Sequence, residues 1–469
     1  MRKIFPFLAA ALLLLPACSA KPEEAPHDTI SGTIWLQTPE TSSTEYPEEN
    51  PPASEEPPLD APIEVSGSEI PEEIPAPEDE GTVSSGTEDV PKGEELPVSG
   101  KISEEVRAVW ISYLEMQELL TGRNEAEFRV NIAEAFDHIE ALGLNTVFAQ
   151  VRPFGDALYS SDYFPWSYIV TGSEGQDPGF DPLQVMIEEA RNRGLRIDAW
   201  VNPYRVRAVE AEKPLSAENI AVQWADNGTG DAIRYNGGLY LNPGSENARQ
   251  LIVNGVREIL EKYEVDGIQF DDYFYPTQAM DFDQQSYESY RAAGGELSQD
   301  AWRRENVNIL IREVYQTVKS VNEDLLFGVS PQGNNDNNYH NQFIDVAKWL
   351  ANEGYVDYIC PQIYFGFQNE IAPFKSTVES WNRMIKVDSI RLYVGLAPYK
   401  IGRSDEWAGA GREEWLEETD LLARMVAFSR EQSHYGGFAL YRYASLFMPD
   451  SEVAAAVEQE LEALKESLK

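Results

Sequence analysis

The sequence predicts an α/β fold, a (β/α)8 TIM-type barrel preceded by a signal peptide and a disordered acidic linker. Three observations carry this. From about Val106 onward short apolar segments alternate with amphipathic helical ones, and strand–helix alternation implies a parallel sheet. Eight such units fit in the roughly 350 residues that remain, the size of a barrel with insertions. The first strand ends Trp110-Ile111-Ser112-Tyr113-Leu114, without the glycine-rich turn expected of a doubly wound open sheet.

The N-terminus comes first. Arg2 and Lys3 precede an apolar run from Ile4 to Leu15, followed by Leu15-Pro16-Ala17-Cys18. A basic start, a short apolar stretch and a small residue before the cut describe a secretory signal. The run is short of the ~20 residues that span a bilayer. Its Leu-x-Ala-Cys ending resembles the lipobox of bacterial lipoproteins. Residues 1–17 are therefore expected to be a lipoprotein signal peptide and Cys18 the lipidation site. That implies a membrane contact through an N-terminal lipid anchor and an extracytoplasmic location at the cell membrane. The other cysteine, Cys360, lies in the apolar run Tyr358-Ile359-Cys360-Pro361 and reads as a small core residue. With Cys18 lipidated, an internal disulfide is excluded, and no cysteine cluster offers a metal site.

Residues 18–103 form the second element. Between Lys21 and Gly100 there are 14 prolines and 21 acidic residues against two lysines. Such a stretch buries too little apolar surface to offset its chain entropy, so a disordered tether is expected. Proline and self-repulsion extend it, which gives a catalytic domain reach from a membrane. The formal net charge of the whole chain is −43. A phosphate-backbone ligand needs clustered Lys and Arg; none is found, so nucleic acid is not an expected partner.

Residues 104–469 form the barrel. Its strands are expected at Arg107–Ser112, Asn145–Val151, Arg196–Pro203, Gly267–Phe274, Leu326–Pro331, Tyr358–Phe365, Leu392–Tyr399 and Gly437–Tyr443. Helices are expected at Glu125–Leu142, Pro182–Arg193, Glu246–Tyr263 and Trp302–Val321. Asp181-Pro182 and Ser245-Glu246 pair a cap with a first-turn residue. Gly143 and Gly194 mark helix stops.

A barrel of this type carries its site at the C-terminal strand ends. Those ends hold Gln150, Arg152 and Asp156 (second strand), Asp198, Trp200, Asn202, Tyr204 and Arg205 (third), Gln269, Asp271, Asp272 and Tyr273 (fourth), and Gln362 and Tyr364 (sixth). Amides and carboxylates bind hydroxyls, and Trp and Tyr faces stack on apolar sugar faces. The ligand class is therefore a glycan. The fourth strand is the sharpest feature. Alternation puts Gln269, Asp271 and Tyr273 on one face, with Asp271 in the mouth, and places Asp272 where strand gives way to loop. Two adjacent carboxylates repel, so one pKa rises and the pair supplies an acid and an anion together. The competing structural role is ion pairing with Arg152 or Arg205.

Strands five to eight end without a carboxylate, unlike barrel glycosidases that place a Glu there. Substrate assistance by an N-acetyl group removes the need for a second one. The pair resembles the adjacent acids after strand four of some N-acetylhexosaminidases, and Tyr364 in Gln362-Ile363-Tyr364 is similar to the strand-six Tyr of chitinase-like enzymes; the resemblance implies that Asp271 orients the acetamide, Asp272 is the acid and Tyr364 faces the acetamide. The order of the two acids stays open, as does a two-carboxylate scheme using Asp271 with Asp156. No metal or other cofactor is expected in catalysis; Asn334-Asn335-Asp336-Asn337-Asn338 has oxygens for calcium but reads as a solvated loop.

The runs Arg107-Ala108-Val109-Trp110, Gln150-Val151-Arg152-Pro153, Asp198 to Arg205, Asp266 to Tyr273, Trp302-Arg303-Arg304 and Pro361-Gln362-Ile363-Tyr364 resemble the glycosyl-hydrolase-like family 10 of bacterial lipoproteins. The likeness runs from about Arg107 to Phe447. It implies a barrel related to glycoside hydrolases. Its better-understood member, a cell-envelope enzyme, cleaves peptidoglycan glycan strands stripped of stem peptides. The implied function is an N-acetylhexosaminidase or muramidase type of glycoside hydrolase acting on cell-wall glycan. The alternatives are a catalytically inactive carbohydrate-binding lipoprotein, which would not need the Asp-Asp pair, and a hydrolase of another polysaccharide.

Overall fold

The computed structural model describes residues 104–207 and 214–469. The expected signal peptide, Cys18 and acidic tether lie outside the described residues. Strands β1 (Val106–Ile111), β2 (Thr146–Arg152) and β3 (Arg196–Val201) open a barrel. An insertion contributes β4 (Arg205–Arg207), β5 (Ala232–Tyr235) and β6 (Gly238–Leu241). The barrel resumes with β7 (Gly267–Phe270), β8 (Leu326–Val329), β9 (Tyr358–Ile359), β10 (Arg391–Leu396) and β11 (Tyr435–Leu440). Eight parallel strands close the ring in chain order, with β11 paired back to β1. The (β/α)8 expectation is met.

Local chemistry explains the elements. Asp181 accepts from Leu183 and Gln184 N–H groups ahead of Pro182, starting the helix Pro182–Arg191. Ser245 caps Glu246–Lys262 through Ala248 N–H, and Gly143 ends Glu125–Leu142 in the left-handed conformation. The strands stop earlier than the sequence suggests. Pro203, Pro331, Pro361 and Pro398 follow β3, β8, β9 and β10 and have no N–H for the ladder. The insertion was not expected. Its β5–β6 hairpin turns at Asn236-Gly237, both at positive φ, a sequence signal for a tight hairpin.

One apolar layer lies between strands and helices; a second fills the barrel with Trp110, Phe148, Trp200, Tyr358, Cys360 and Tyr393. Cys360 is thus the expected core residue. Rings of this size need small neighbours. A Cβ on Gly328 would lie 2.1 Å from the Tyr358 ring, so glycine is required there.

The chain after β7 is clamped by a fully buried ion pair. Arg303, on the helix Gln299–Val321, donates to both Asp283 oxygens and to the carbonyls of Gln278 (3.1 Å) and Ala279 (2.8 Å). Gln299 adds a bond to Asp283 at 2.7 Å, and Phe343 flanks the guanidinium. This fixes the loop that begins with Asp271 and Asp272.

Candidate functional site

The floor of the mouth is a hydrogen-bonded column inside the barrel. Trp110 Nε1 donates to Gln269 Oε1 at 2.5 Å, Gln269 Nε2 donates to Tyr358 OH at 3.5 Å, and Tyr358 OH donates to Asp198 Oδ2 at 3.4 Å. Arg196 lies 3.6 Å from Asp198 Oδ1. Asp198 and Gln269, expected to bind substrate, therefore sit beneath the mouth among protein partners. Burial pushes the Asp198 carboxyl up to about 7, opposed by Arg196 and reinforced by Asp266. A carboxyl raised on folding contributes stability below its unfolded value and loses it as pH rises through about 7. Asp198→Asn should therefore gain Tm relative to wild type between pH 5 and pH 8. A difference independent of pH in parallel melts would refute that.

Above the floor stand the two carboxylates. Asp271 Oδ2 accepts from Trp200 Nε1 at 3.2 Å and Oδ1 from Tyr273 N–H at 3.3 Å. Burial, then the neighbouring Asp272 charge, pushes Asp271 up to about 7, while Arg205 pulls the other way. Asp272 is held differently. Gln332 and Gln342 donate to its Oδ2 at 3.1 Å each, and Gln362 donates to Oδ1 at 3.2 Å. Three amide N–H donors thus converge on one carboxylate. Strand alternation would have turned Asp272 outward. It does not apply, because β7 ends at Phe270 and both acids lie on the turn beyond it.

Arg205 stacks on Tyr273 (4.1 Å to the ring centre) and, with the Asn202 amide turned to accept, donates to it at 3.1 and 3.2 Å. Tyr364, Tyr399 and Tyr441 form a ring cluster with centroids 5.7–6.2 Å apart, and Tyr441 meets Trp110 at 6.0 Å. Burial raises the Tyr364 hydroxyl well above the ordinary phenol range, so it stays a hydrogen-bond donor. The structure thus brings together Trp200, Asn202, Arg205, Asp271, Asp272, Tyr273, Gln362 and Tyr364.

Three expected residues, Arg152, Tyr204 and Asp156, fall elsewhere. Arg152 is buried on the outer wall, over the Phe164 ring at 4.3 Å and against Gly255 of the helix Glu246–Lys262. The cause is a bulge. Gln150 pairs with Trp200 but Arg152 pairs with Val201, so the extra residue turns Arg152 to the outward face. Tyr204 also faces outward, against Phe274, because the chain bends at Pro203 into β4. Gln150, ahead of the bulge, is level with Trp200 in the barrel, buried, and accepts from Tyr113 N–H at 2.9 Å. Asp156 belongs to a separate cluster, where burial and Glu174 push it up to about 7 beside Ser167 and Arg207. It shares none of the partners named for Asp271, which leaves the Asp271–Asp156 scheme without support.

Two parts of the site were not anticipated. Gln342 lies 70 residues from Asp272 and nothing local marks it. The Asn-rich stretch is not a solvated loop. It forms the helix Asn335–Asn341, capped by Asn334, and buried Asn338 exchanges hydrogen bonds with the backbone of Gln332 at 2.8 and 3.0 Å. It positions one of the donors to Asp272. Glu115, a carboxylate after β1, is occupied by Ser112, Ala444 N–H and Arg442 as part of a helix cap.

The family model described as glycosyl hydrolase-like 10 matches residues 105–409. The chain is 35% identical over 353 residues to the protein named glycosyl hydrolase YngK of Bacillus subtilis, covering 71% of this chain and 68% of that one. It is 35% identical over 354 residues to the protein named glycosyl hydrolase DigH of Escherichia coli K12, covering 70% and 78%. Among solved structures, the catalytic domain of a β-amylase from Paenibacillus polymyxa aligns with a TM-score of 0.50 over 79% of this chain and 100% of that one. At 9% identity that likeness concerns the barrel fold alone. The chain belongs to the glycosyl hydrolase-like 10 family, and Asp271 and Asp272 both lie inside the matched stretch.

Proposed function

We propose that this chain, a glycoside hydrolase by family, cleaves β-linked N-acetylated glycans, with peptide-free peptidoglycan strands as its substrate, from a lipid-anchored position at the cell surface. The single observation that carries the reading is the unequal carboxylate pair: Asp271 poised near 7 on a Trp200 floor, Asp272 gripped by three glutamine amides. A general acid works best with a pKa near the working pH, so Asp271 suits the acid and Asp272 the fixed anion. This reverses the order favoured from the sequence, because the amides converge on Asp272 and the desolvation falls on Asp271.

In this scheme the substrate's acetamide oxygen bonds to the anomeric carbon while Asp271 gives its proton to the leaving oxygen. Asp272 accepts from the acetamide N–H and steadies the charge that forms there. Water then opens the ring-closed intermediate and returns a proton to Asp271. The product keeps the substrate's anomeric configuration. Tyr364 and Tyr273 supply aromatic and hydroxyl contacts to the sugar.

The test is release of new reducing ends from peptide-free peptidoglycan glycans, from chitooligosaccharides and from neutral glycans lacking an acetamide. Cleavage restricted to the acetylated substrates is expected. Equal cleavage of neutral glycans would overturn the substrate assistance, and binding without cleavage would favour a carbohydrate-binding lipoprotein. Radiolabelled palmitate on wild type but not on Cys18→Ala would establish the anchor, and its absence from both would remove it.

A further inference from the structure

We propose that Trp407 is a stacking platform for a sugar unit beyond the cleavage point, so that the site grips a glycan chain rather than a single residue; this rests on the glycosidase reading above. Trp407 is 62% exposed, on the segment that follows β10 at the C-terminal face of the barrel. The same segment buries Ile401, Ala408 and Trp415 almost completely. Ile401 and Trp415 join the main apolar core, and the Trp407 indole is left outside it.

The segment is also rigid. Asp405 N–H donates to Arg412 O at 2.8 Å, Ala408 N–H to Asp405 O at 3.0 Å, and Trp407 N–H to Asp405 Oδ1 at 3.3 Å. Glu370 N–H, from the loop after β9, donates to Ala408 O at 3.1 Å. A Cβ on Gly411 would lie 2.5 Å from the Gln368 backbone, so the two loops touch main chain to main chain. An exposed aromatic on a braced loop loses little conformational freedom when it binds.

The same brace ties Trp407 to the site. Lys400 Nζ donates to Asp405 Oδ2 at 2.6 Å and to Tyr364 O at 2.7 Å. One ammonium thus joins the turn that carries Trp407 to the backbone of a tyrosine in the mouth. Tyr364 in turn meets Tyr399 edge to face, with ring centres 5.7 Å apart, so the brace ends on the aromatic side of the mouth. The apolar face of an N-acetylated pyranose is the matching ligand, since flat apolar area is what an indole offers.

The experiment compares wild type, Trp407→Ala and Trp407→Phe on chitooligosaccharides of increasing length and on peptide-free glycan strands. An aromatic contact of about 0.5–1.5 kcal/mol corresponds to about a two- to twelvefold change. Trp407→Ala should raise KM by that factor on long chains, leave kcat alone, and leave the shortest cleaved oligomer unaffected; Trp407→Phe should recover most of the loss. An unchanged KM on long chains, or the same loss at every length, overturns the platform. Calorimetric titration of chitohexaose into Asp271→Asn, with and without Trp407→Ala, separates the two readings. If wild type cleaves nothing but Trp407→Ala still weakens binding, the hydrolase reading fails and the platform stands. If neither protein binds, both fail. Unchanged melting temperatures are expected because the side chain is exposed.

Discussion

Asp271→Asn should lower turnover by about 10²–10⁴-fold, the usual worth of a positioned general acid. An amide keeps the shape and the Trp200 contact but carries no proton to give. The pH profile makes the result diagnostic. Wild-type activity should fall as pH rises above about 7, because the carboxyl that burial and Asp272 push up to that value loses its proton there. Residual activity of the variant should lack that limb. Initial rates from pH 5 to 9 on one N-acetylated oligomer suffice. A variant within threefold of wild type, or one that keeps the alkaline limb, would remove Asp271 from the acid role.

Separating Arg303 from Asp283 should cost about 3–5 kcal/mol, since either partner alone is left as an uncompensated buried charge. Both side chains are fully buried, and the guanidinium also caps the carbonyls of Gln278 and Ala279. Arg303→Met and Asp283→Leu should each move the denaturant midpoint strongly. The double variant should lose less than the two single losses combined, because apolar groups of similar volume often replace such pairs at little cost. Purely additive losses in guanidinium titrations would show that the two residues act independently. The clamp also holds the loop that starts at Asp271, so the single variants should lose activity before they unfold.

The sequence was most legible where one local rule governed. Caps at Asp181 and Ser245 and the stop at Gly143 placed helices within a few residues, because each depends on a hydrogen bond or a positive φ inside its own turn. Strand–helix alternation yielded the closed barrel because parallel strands require a crossover between them. Period-two alternation along the short strand β7 turned Gln269 inward, where Trp110 Nε1 reaches it.

Alternation failed wherever the register or the strand itself ended. A bulge at the end of β2 turned Arg152 to the outer wall, and the end of β7 at Phe270 brought Asp272 round to its glutamines. Neither event has a local signature, since a bulge reflects how two strands pair and a strand end reflects which neighbour stops first. The chemistry of the pair was decided the same way. From sequence the two aspartates are interchangeable; Gln332, Gln342 and Gln362, 60 to 90 residues away, distinguish them. What the sequence determined alone was the barrel, the glycan-type residues at its strand ends and the presence of two adjacent acids. Only the tertiary structure decided which acid is desolvated and which is hydrogen-bonded, because both effects depend on groups brought together by closure of the barrel.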